Sequence, residues 1–441
     1  MNTPIYDFVR EYADSKSVRA HMPGHKGVSR LGVEELDITE ITGADTLYSA
    51  SGIIGESEKN ASALFGAHTF YSTEGSSLSI RAMLAMIARY SAGCGKKAKI
   101  LAARNVHKSF VYGAALLGIE IEWIWGDSYL SFSLDCDEIE KRVLKSRPSA
   151  LYITSPDYLG RMADVERIAR ICHRHGTLLA VDNAHGAYLK FLAPSRHPID
   201  LGADLVCDSA HKTLPVLTGG GYLHISKRAP KELLSYARTS MELFGSTSPS
   251  YLILESLDIC NKELSCGYAE RISSYVEKIE KYTQKLNTGG FSLISDEPFK
   301  ITIEAKKYGY YGYELGEALE RRGIYPEFCD RDYLVLMLAP DIEETDIDEI
   351  ACALLSIPRR PEIKEDPPCP SVLESAIDAK EASLSPTEAV PVLNSAGRIL
   401  ASASVGCPPA VPLAVLGERI DEKTRDAFIY YGIEKVTVIK E

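Results

Sequence analysis

The chain has no apolar run near the roughly 18–20 residues that a membrane helix requires, so no span and no membrane partner are expected. Its start, Met1-Asn2-Thr3-Pro4-Ile5-Tyr6-Asp7, lacks both the basic segment and the apolar stretch of a secretory signal. A cytoplasmic location is the resulting expectation. The ten cysteines include no C-x-x-C pair and no His/Cys spacing of a zinc site. They are expected to be reduced, mostly buried small hydrophobes, and no metal is expected. Basic charge is also short: the net charge is −12, with no cationic stripe to neutralise phosphates, which argues against nucleic acid. The same sign is compatible with steering a cationic substrate. Gly93-Cys94-Gly95-Lys96 lacks the spacing of a P-loop, no G-x-S-x-G elbow occurs, and there is no internal repeat.

What is present is an ordinary globular balance in a chain of 441 residues, long enough for two or three domains. Residues 1–60 read as an irregular N-terminal arm carrying His21-Met22-Pro23-Gly24-His25-Lys26-Gly27. From 61 to 240, apolar strands alternate with amphipathic helices. Ile80, Met83, Leu84 and Ile87 fall on one helix face. Residues 98–102, 119–123, 150–154, 178–182 and 204–207 read as strands. Asp164 reads as the N-cap of a helix buried through Val165, Ile168, Ile171 and Cys172, and Gly176 as its stop. Strands separated by helices imply parallel βαβ units, hence an α/β fold with ligands at the carboxyl ends of the strands. Residues 241–357 form a smaller α/β unit with a long helical stretch and a strand at 333–337. Residues 358–371 are a proline-rich linker, and 372–441 a C-terminal unit whose Gly406-Cys407-Pro408-Pro409-Ala410-Val411-Pro412 is a turn-rich loop.

The chemistry concentrates where two strands end. Lys212 follows the strand at 204–207, within Asp208-Ser209-Ala210-His211-Lys212-Thr213-Leu214, and Asp182 closes the strand at 178–182. Pyridoxal phosphate chemistry needs such a pair: an amine to hold the aldehyde as a Schiff base, and a carboxylate to keep the pyridine nitrogen protonated. Ser72-Thr73-Glu74-Gly75-Ser76-Ser77 precedes the Ile80 helix and offers backbone N–H groups and a positive dipole end to a phosphate. A serine N-cap with a flexible turn is the plainer reading of that segment. His107 could lie flat on a planar cofactor or be an ordinary loop histidine, and His185 could flank the ring or satisfy a turn. His173 and His175 read as surface residues near a helix end. Ser209, His211 and Asp182 also permit a hydrolase reading, which leaves Lys212 without a role.

Together these segments resemble the ornithine/lysine/arginine decarboxylase family of fold-type-I pyridoxal phosphate enzymes. The resemblance runs through His21-Met22-Pro23-Gly24-His25-Lys26, Phe65-Gly66-Ala67 to Gly75-Ser76-Ser77, and Arg104-Asn105-Val106-His107-Lys108-Ser109. It continues through Val181-Asp182-Asn183-Ala184-His185-Gly186-Ala187 and Ser209-Ala210-His211-Lys212-Thr213-Leu214. Ser248-Pro249-Ser250-Tyr251, Gly323-Ile324-Tyr325-Pro326-Glu327 and Gly406-Cys407-Pro408-Pro409 extend it towards the C-terminus.

The resemblance implies an aspartate-aminotransferase-like large domain and decarboxylation of arginine, lysine or ornithine with pyridoxal 5'-phosphate. Lys212 would form the Schiff base, Asp182 would pair with the pyridine nitrogen, and His107 would stack on the ring. Gly75, Ser76, Ser77 and Ser209 would hold the phosphate, His185 would flank the cofactor, and His211 would be a candidate proton donor. Glu327 would face the substrate's distal cation, and Ser246 and Thr247 would reach into a partner subunit's site in a homodimer or dimer-based oligomer.

Glu74, Asn183 and Tyr188 depart from the family's usual Asn, Glu and His, and Gly219-Gly220-Gly221 is expected to loosen the strand after the lysine. The chain begins almost at the Pro-Gly-His motif, which resembles the short biosynthetic branch, so no wing domain and no wing-built decamer are expected. Another pyridoxal phosphate reaction on the same fold, or a catalytically silent regulatory relative, are the competing readings.

Overall fold

The computed structural model describes residues 1–126, 128–129, 134–406 and 411–440. Cys407, Pro408, Pro409 and Ala410, part of the expected C-terminal loop, lie outside the described residues. By packing, the chain divides into two compact units: Met1–Ile100, Glu140–Tyr152 and Val165–Glu270 in the first, Leu101–Ile139, Ile153–Asp164 and Arg271–Glu441 in the second.

The strands β1 (His68–Ser72), β2 (Lys99–Ala103), β3 (Glu120–Ile124), β4 (Ala150–Thr154), β5 (Leu178–Asp182), β6 (Leu205–Asp208) and β7 (Gly221–Ile225) form one sheet. Its order is β1-β7-β6-β5-β4-β2-β3, and it is mainly parallel. β5 and β6 run parallel, while β7 turns back antiparallel between β6 and β1. Every residue of β5, β6 and β7 is buried, as continuous apolar runs require when helices cover both faces of a sheet. The helix Gly75–Gly93 packs on β5, β6 and β7 through the face that includes Ile80, Met83, Leu84 and Ile87, all fully buried. The helix Val165–Arg174 packs on β5, and Gly176 (φ 67°) follows its end.

The N-terminal stretch is more ordered than its polar composition suggests. Pro4–Asp14 is a helix with Pro4 in its first turn, and Ile5 and Val9, one turn apart, are both fully buried. Asp258, on the helix Tyr251–Leu264, accepts the N–H groups of Ile5 and Tyr6 at 2.8 and 3.1 Å, satisfying donors that a helix start leaves orphaned.

In the second unit, β8 (Lys300–Glu304), β9 (Phe328–Cys329) and β10 (Tyr333–Met337) form an antiparallel sheet with β10 central. Two further pairs follow: β11 (Thr387–Pro391) with β14 (Lys435–Ile439), and β12 (Ser404–Gly406) with β13 (Pro412–Val415). No helix among the described residues is long and apolar enough to cross a membrane. None of the nine described cysteines is in a disulfide; four are buried, four exposed and one intermediate. The expectation of mostly buried cysteines therefore fails, because Cys94, Cys266, Cys352 and Cys369 fall outside the packed strand and helix faces.

Candidate active site

Ten of the twelve expected site residues fall in the first unit. Lys212 sits on the short helical turn Ala210–Thr213 that follows β6, and its Nζ lies 3.0 Å from His185 Nε2. An ammonium can only donate, so Nε2 is the acceptor and His185 carries its proton on Nδ1. Asp182, at the end of β5, is 2% exposed. Its Oδ1 accepts the Ala184 N–H at 3.1 Å and the Cys207 thiol at 3.5 Å, and its Oδ2 accepts the Tyr152 hydroxyl at 3.3 Å. Burial first, and the neighbouring Asp182 second, push the Tyr152 and Cys207 acids well above their ordinary values. Both therefore remain protonated donors, and the carboxylate is the acceptor at the centre of the group.

Ser76 and Ser209 meet at the start of the 19-residue helix Gly75–Gly93. The Ser209 hydroxyl donates to Ser76 Oγ at 2.9 Å, and the Ser76 N–H donates to Ser209 Oγ at 3.3 Å. Gly75 adopts φ 60°, a left-handed conformation that favours glycine, and its N–H donates to the Gly219 carbonyl at 2.6 Å. The run Gly219-Gly220-Gly221 does not loosen the strand, contrary to expectation. A Cβ on Gly221 would lie 2.8 Å from the Asp208 carbonyl and 3.0 Å from the Gly75 carbonyl carbon, so glycine is what lets β7 approach the turn. Ser77 follows on the same helix, where its carbonyl accepts Arg81 Nε at 3.0 Å.

His211 turns towards the glycine run: its Nδ1 donates to the Gly220 carbonyl at 2.8 Å. Burial lowers its pKa; the Gly220 bond works against this and the Lys212 charge adds to it. The ring is therefore neutral near pH 7, with Nε2 available as an acceptor. Ser246 and Thr247 are exposed, and the Ser246 N–H donates to Glu74 Oε1 at 2.7 Å, so Glu74 pins this loop.

His107 and Glu327 belong to the second unit. His107 is exposed, follows β2, and caps the helix Lys108–Leu117 by accepting the Ser109 N–H at Nδ1, 3.2 Å away. Glu327 is exposed, and its Oε1 accepts the Tyr158 hydroxyl at 2.8 Å. Burial, and then Glu327 itself, push the Tyr158 acid far up, so Tyr158 stays a donor.

Other buried polar groups escape a reading of the sequence. Tyr152 is visible there only as an interior residue of a strand. Asp208, His197 and His224 are all fully buried, with metal-binding atoms within 4.8 Å of one another. They are joined by hydrogen bonds: both Nε2 atoms lie 3.0 Å from Asp208 Oδ2, and His197 Nδ1 accepts the Ile199 N–H at 3.2 Å. His197 therefore donates through Nε2. Burial raises the Asp208 pKa, but the two histidines outweigh it and hold the carboxyl well below its usual range. Asn183 donates to its other oxygen at 2.7 Å. Their sequence separations give no motif to read. His173 and His175 are each near a carboxylate, Asp204 at 3.1 Å and Glu140 at 3.3 Å.

These residues suit pyridoxal phosphate: paired serines at a helix N-terminus for a phosphate, a buried carboxylate for a pyridinium N–H, and an oriented amine. The sheet and its covering helices give the chain the fold of the fold-type-I pyridoxal phosphate enzymes. The family model for the Orn/Lys/Arg decarboxylase major domain matches residues 3–295, and the chain belongs to that family. It is a pyridoxal-phosphate-dependent decarboxylase of a basic amino acid. Among similar proteins, the uncharacterized protein YaaO of Bacillus subtilis (strain 168) is 30% identical over 96% of this chain and 93% of its own length. An arginine decarboxylase of the same strain is 28% identical over 96% of this chain and 92% of its own. Lysine decarboxylase A from Pseudomonas aeruginosa shares the fold at TM-score 0.81 and 18% identity, covering 99% of this chain and 80% of that one.

Proposed function

We propose that the chain decarboxylates arginine, with Lys212 as the Schiff-base lysine and Asp182 as the partner of the pyridine nitrogen. The observation that carries the residue assignment is the Lys212 amine held 3.0 Å from His185, on the same unit as the buried Asp182 carboxylate. Arginine is favoured by the similarity to arginine decarboxylases over nearly the whole chain. When bound, pyridoxal phosphate supplies an electron-accepting ring for the pair left by the departing carboxylate. Ser76 and Ser209, with Gly75 and Ser77, would bind the phosphate, and His107 and His185 would orient the ring. Tyr152 and the Ala184 N–H hold the Asp182 carboxylate, which would keep the ring nitrogen protonated. Lys212, or His211 when protonated at Nε2, would deliver the proton that replaces CO2. Glu327, braced by Tyr158, would take the distal cation in a charge-assisted bond.

The same reading makes the protein a cytoplasmic homodimer in which Ser246 and Thr247 serve the partner's site; their exposure and the absence of disulfides among the described residues support it. Functionally the chain divides into arm (1–60), large domain (61–240), small domain (241–357), linker (358–371) and C-terminal domain (372–441). The test is incubation of the cofactor-loaded enzyme with arginine, lysine and ornithine, measuring CO2 and identifying the amine. Arginine should give the highest kcat/KM. A preference for lysine or ornithine overturns the substrate, and keto acids in place of CO2 overturn the reaction.

A further inference from the structure

The segment that leads into His107 is gripped from a distant part of the chain. Arg104 immediately follows β2, three residues before His107, and its side chain is fully buried. Its guanidinium meets Glu418, 2% exposed, in a two-pronged pair: Nη1 to Oε1 at 2.8 Å and Nη2 to Oε2 at 2.7 Å. Its central carbon lies 4.9 Å from the Trp123 ring centre and 4.2 Å from that of Trp125, the only two tryptophans in the chain. The Arg104 N–H also donates to the Ile124 carbonyl at 3.1 Å.

Glu418 is itself rigidly presented. Its Oε2 accepts the Val415 N–H at 2.8 Å, and it follows Gly417, whose φ of 86° favours glycine. A Cβ at Gly417 would lie 2.6 Å from the Ile377 carbonyl oxygen. The C-terminal segment also touches the helix that His107 caps. The Tyr112 hydroxyl, on the helix that His107 caps, accepts the Ala403 N–H at 3.3 Å. That helix packs on the helix Ala379–Leu384.

A buried ion pair is a weak source of net stability, because desolvation of both charges cancels much of their attraction. Its geometric specificity is the better reason for its position, since a planar fork meeting a carboxylate fixes both partners. We infer that Arg104 and Glu418 are positioning residues, a clasp through which the C-terminal segment sets the His107 loop for the cofactor. Glu418, on one side of the clasp, lies outside the matched residues 3–295. This inference rests on the proposed stacking role of His107.

The test uses the full-length holoenzyme and its E418Q, Y112F and H107A variants. Tryptophan emission reports the clasp, because both tryptophans lie on Arg104. The visible circular dichroism of bound pyridoxal phosphate reports ring orientation, and equilibrium dialysis gives cofactor affinity. E418Q should shift the emission, diminish the visible dichroism and weaken cofactor binding about tenfold. Y112F, a milder change at a partly exposed side chain, should weaken binding about threefold and serves if E418Q does not fold. If emission shifts while dichroism and affinity stay at the wild-type values, or if Y112F alone folds and binds normally, the clasp is overturned as a positioning device. If H107A leaves the dichroism and affinity unchanged, the stacking role fails, and the clasp inference fails with it for that separate reason.

Discussion

Asn183 donates its side-chain amide to the buried carboxylate of Asp208 at 2.7 Å, and the other oxygen of that carboxylate serves His197 and His224. The network ties the ends of β5, β6 and β7 one residue ahead of Ser209. With Asp208 ionised by its two histidines, a second carboxylate at 183 would face a buried like charge.

Asn183→Glu is therefore expected to cost about 3 kcal/mol or more of folding free energy, from an unpaired buried charge. Urea denaturation checks this. A variant within about 0.5 kcal/mol of wild type shows that the amide is not needed.

Lys212→Ala removes the amine that His185 holds. Turnover should fall by about 10³-fold or more, and the visible absorbance of the lysine–cofactor Schiff base should vanish. An absorbance spectrum after gel filtration, with a CO2 assay alongside, decides it; retained turnover removes Lys212 from the mechanism.

Tyr152→Phe deletes the hydroxyl that steadies Asp182 and leaves the ring in place. A loss of about 1 kcal/mol in stability and a three- to tenfold fall in kcat are expected. Unchanged kcat would mean that Ala184 and Cys207 hold the carboxylate without it.

Glu255, on the helix Tyr251–Leu264, should make stability depend on pH. Burial first, then Asp37 and Asp258, raise its pKa to about 8 against the weaker opposing effect of Arg10. Its Oε1 is buried without a hydrogen-bond partner. The unfolded chain gives up this proton near the ordinary 4.5, while the folded chain keeps it to about 8, so the group costs stability increasingly as pH rises between those values. Glu255→Gln should remove that cost. The difference in urea midpoint between variant and wild type should be small at pH 5 and grow towards pH 8. A constant difference contradicts the assignment.

Several elements are legible residue by residue. The strands at 150–154, 178–182 and 333–337 have the bounds that the sequence implies, since continuous apolar runs ended by polar residues leave little choice of register. The helix over Ile80, Met83, Leu84 and Ile87 follows from its period. The N-terminal helix Pro4–Asp14, read from sequence as part of an irregular arm, is not legible in the same way. Its period was there to be read, since Ile5, Phe8, Val9 and Tyr12 stand at helical spacing, but its start is completed by Asp258, some 250 residues away, which no local pattern announces.

The sequence by itself determined the chemistry-bearing motifs and their order, because an amine, a carboxylate and a serine turn are local properties of strand ends and helix starts. Only the tertiary structure decided what surrounds them. Tyr152 on Asp182, His185 on Lys212, the glycine run against Gly75, and Glu418 on Arg104 are contacts between segments far apart in the chain. No periodicity encodes such contacts, since they arise when whole faces pack and buried polar groups must find partners wherever the fold brings them.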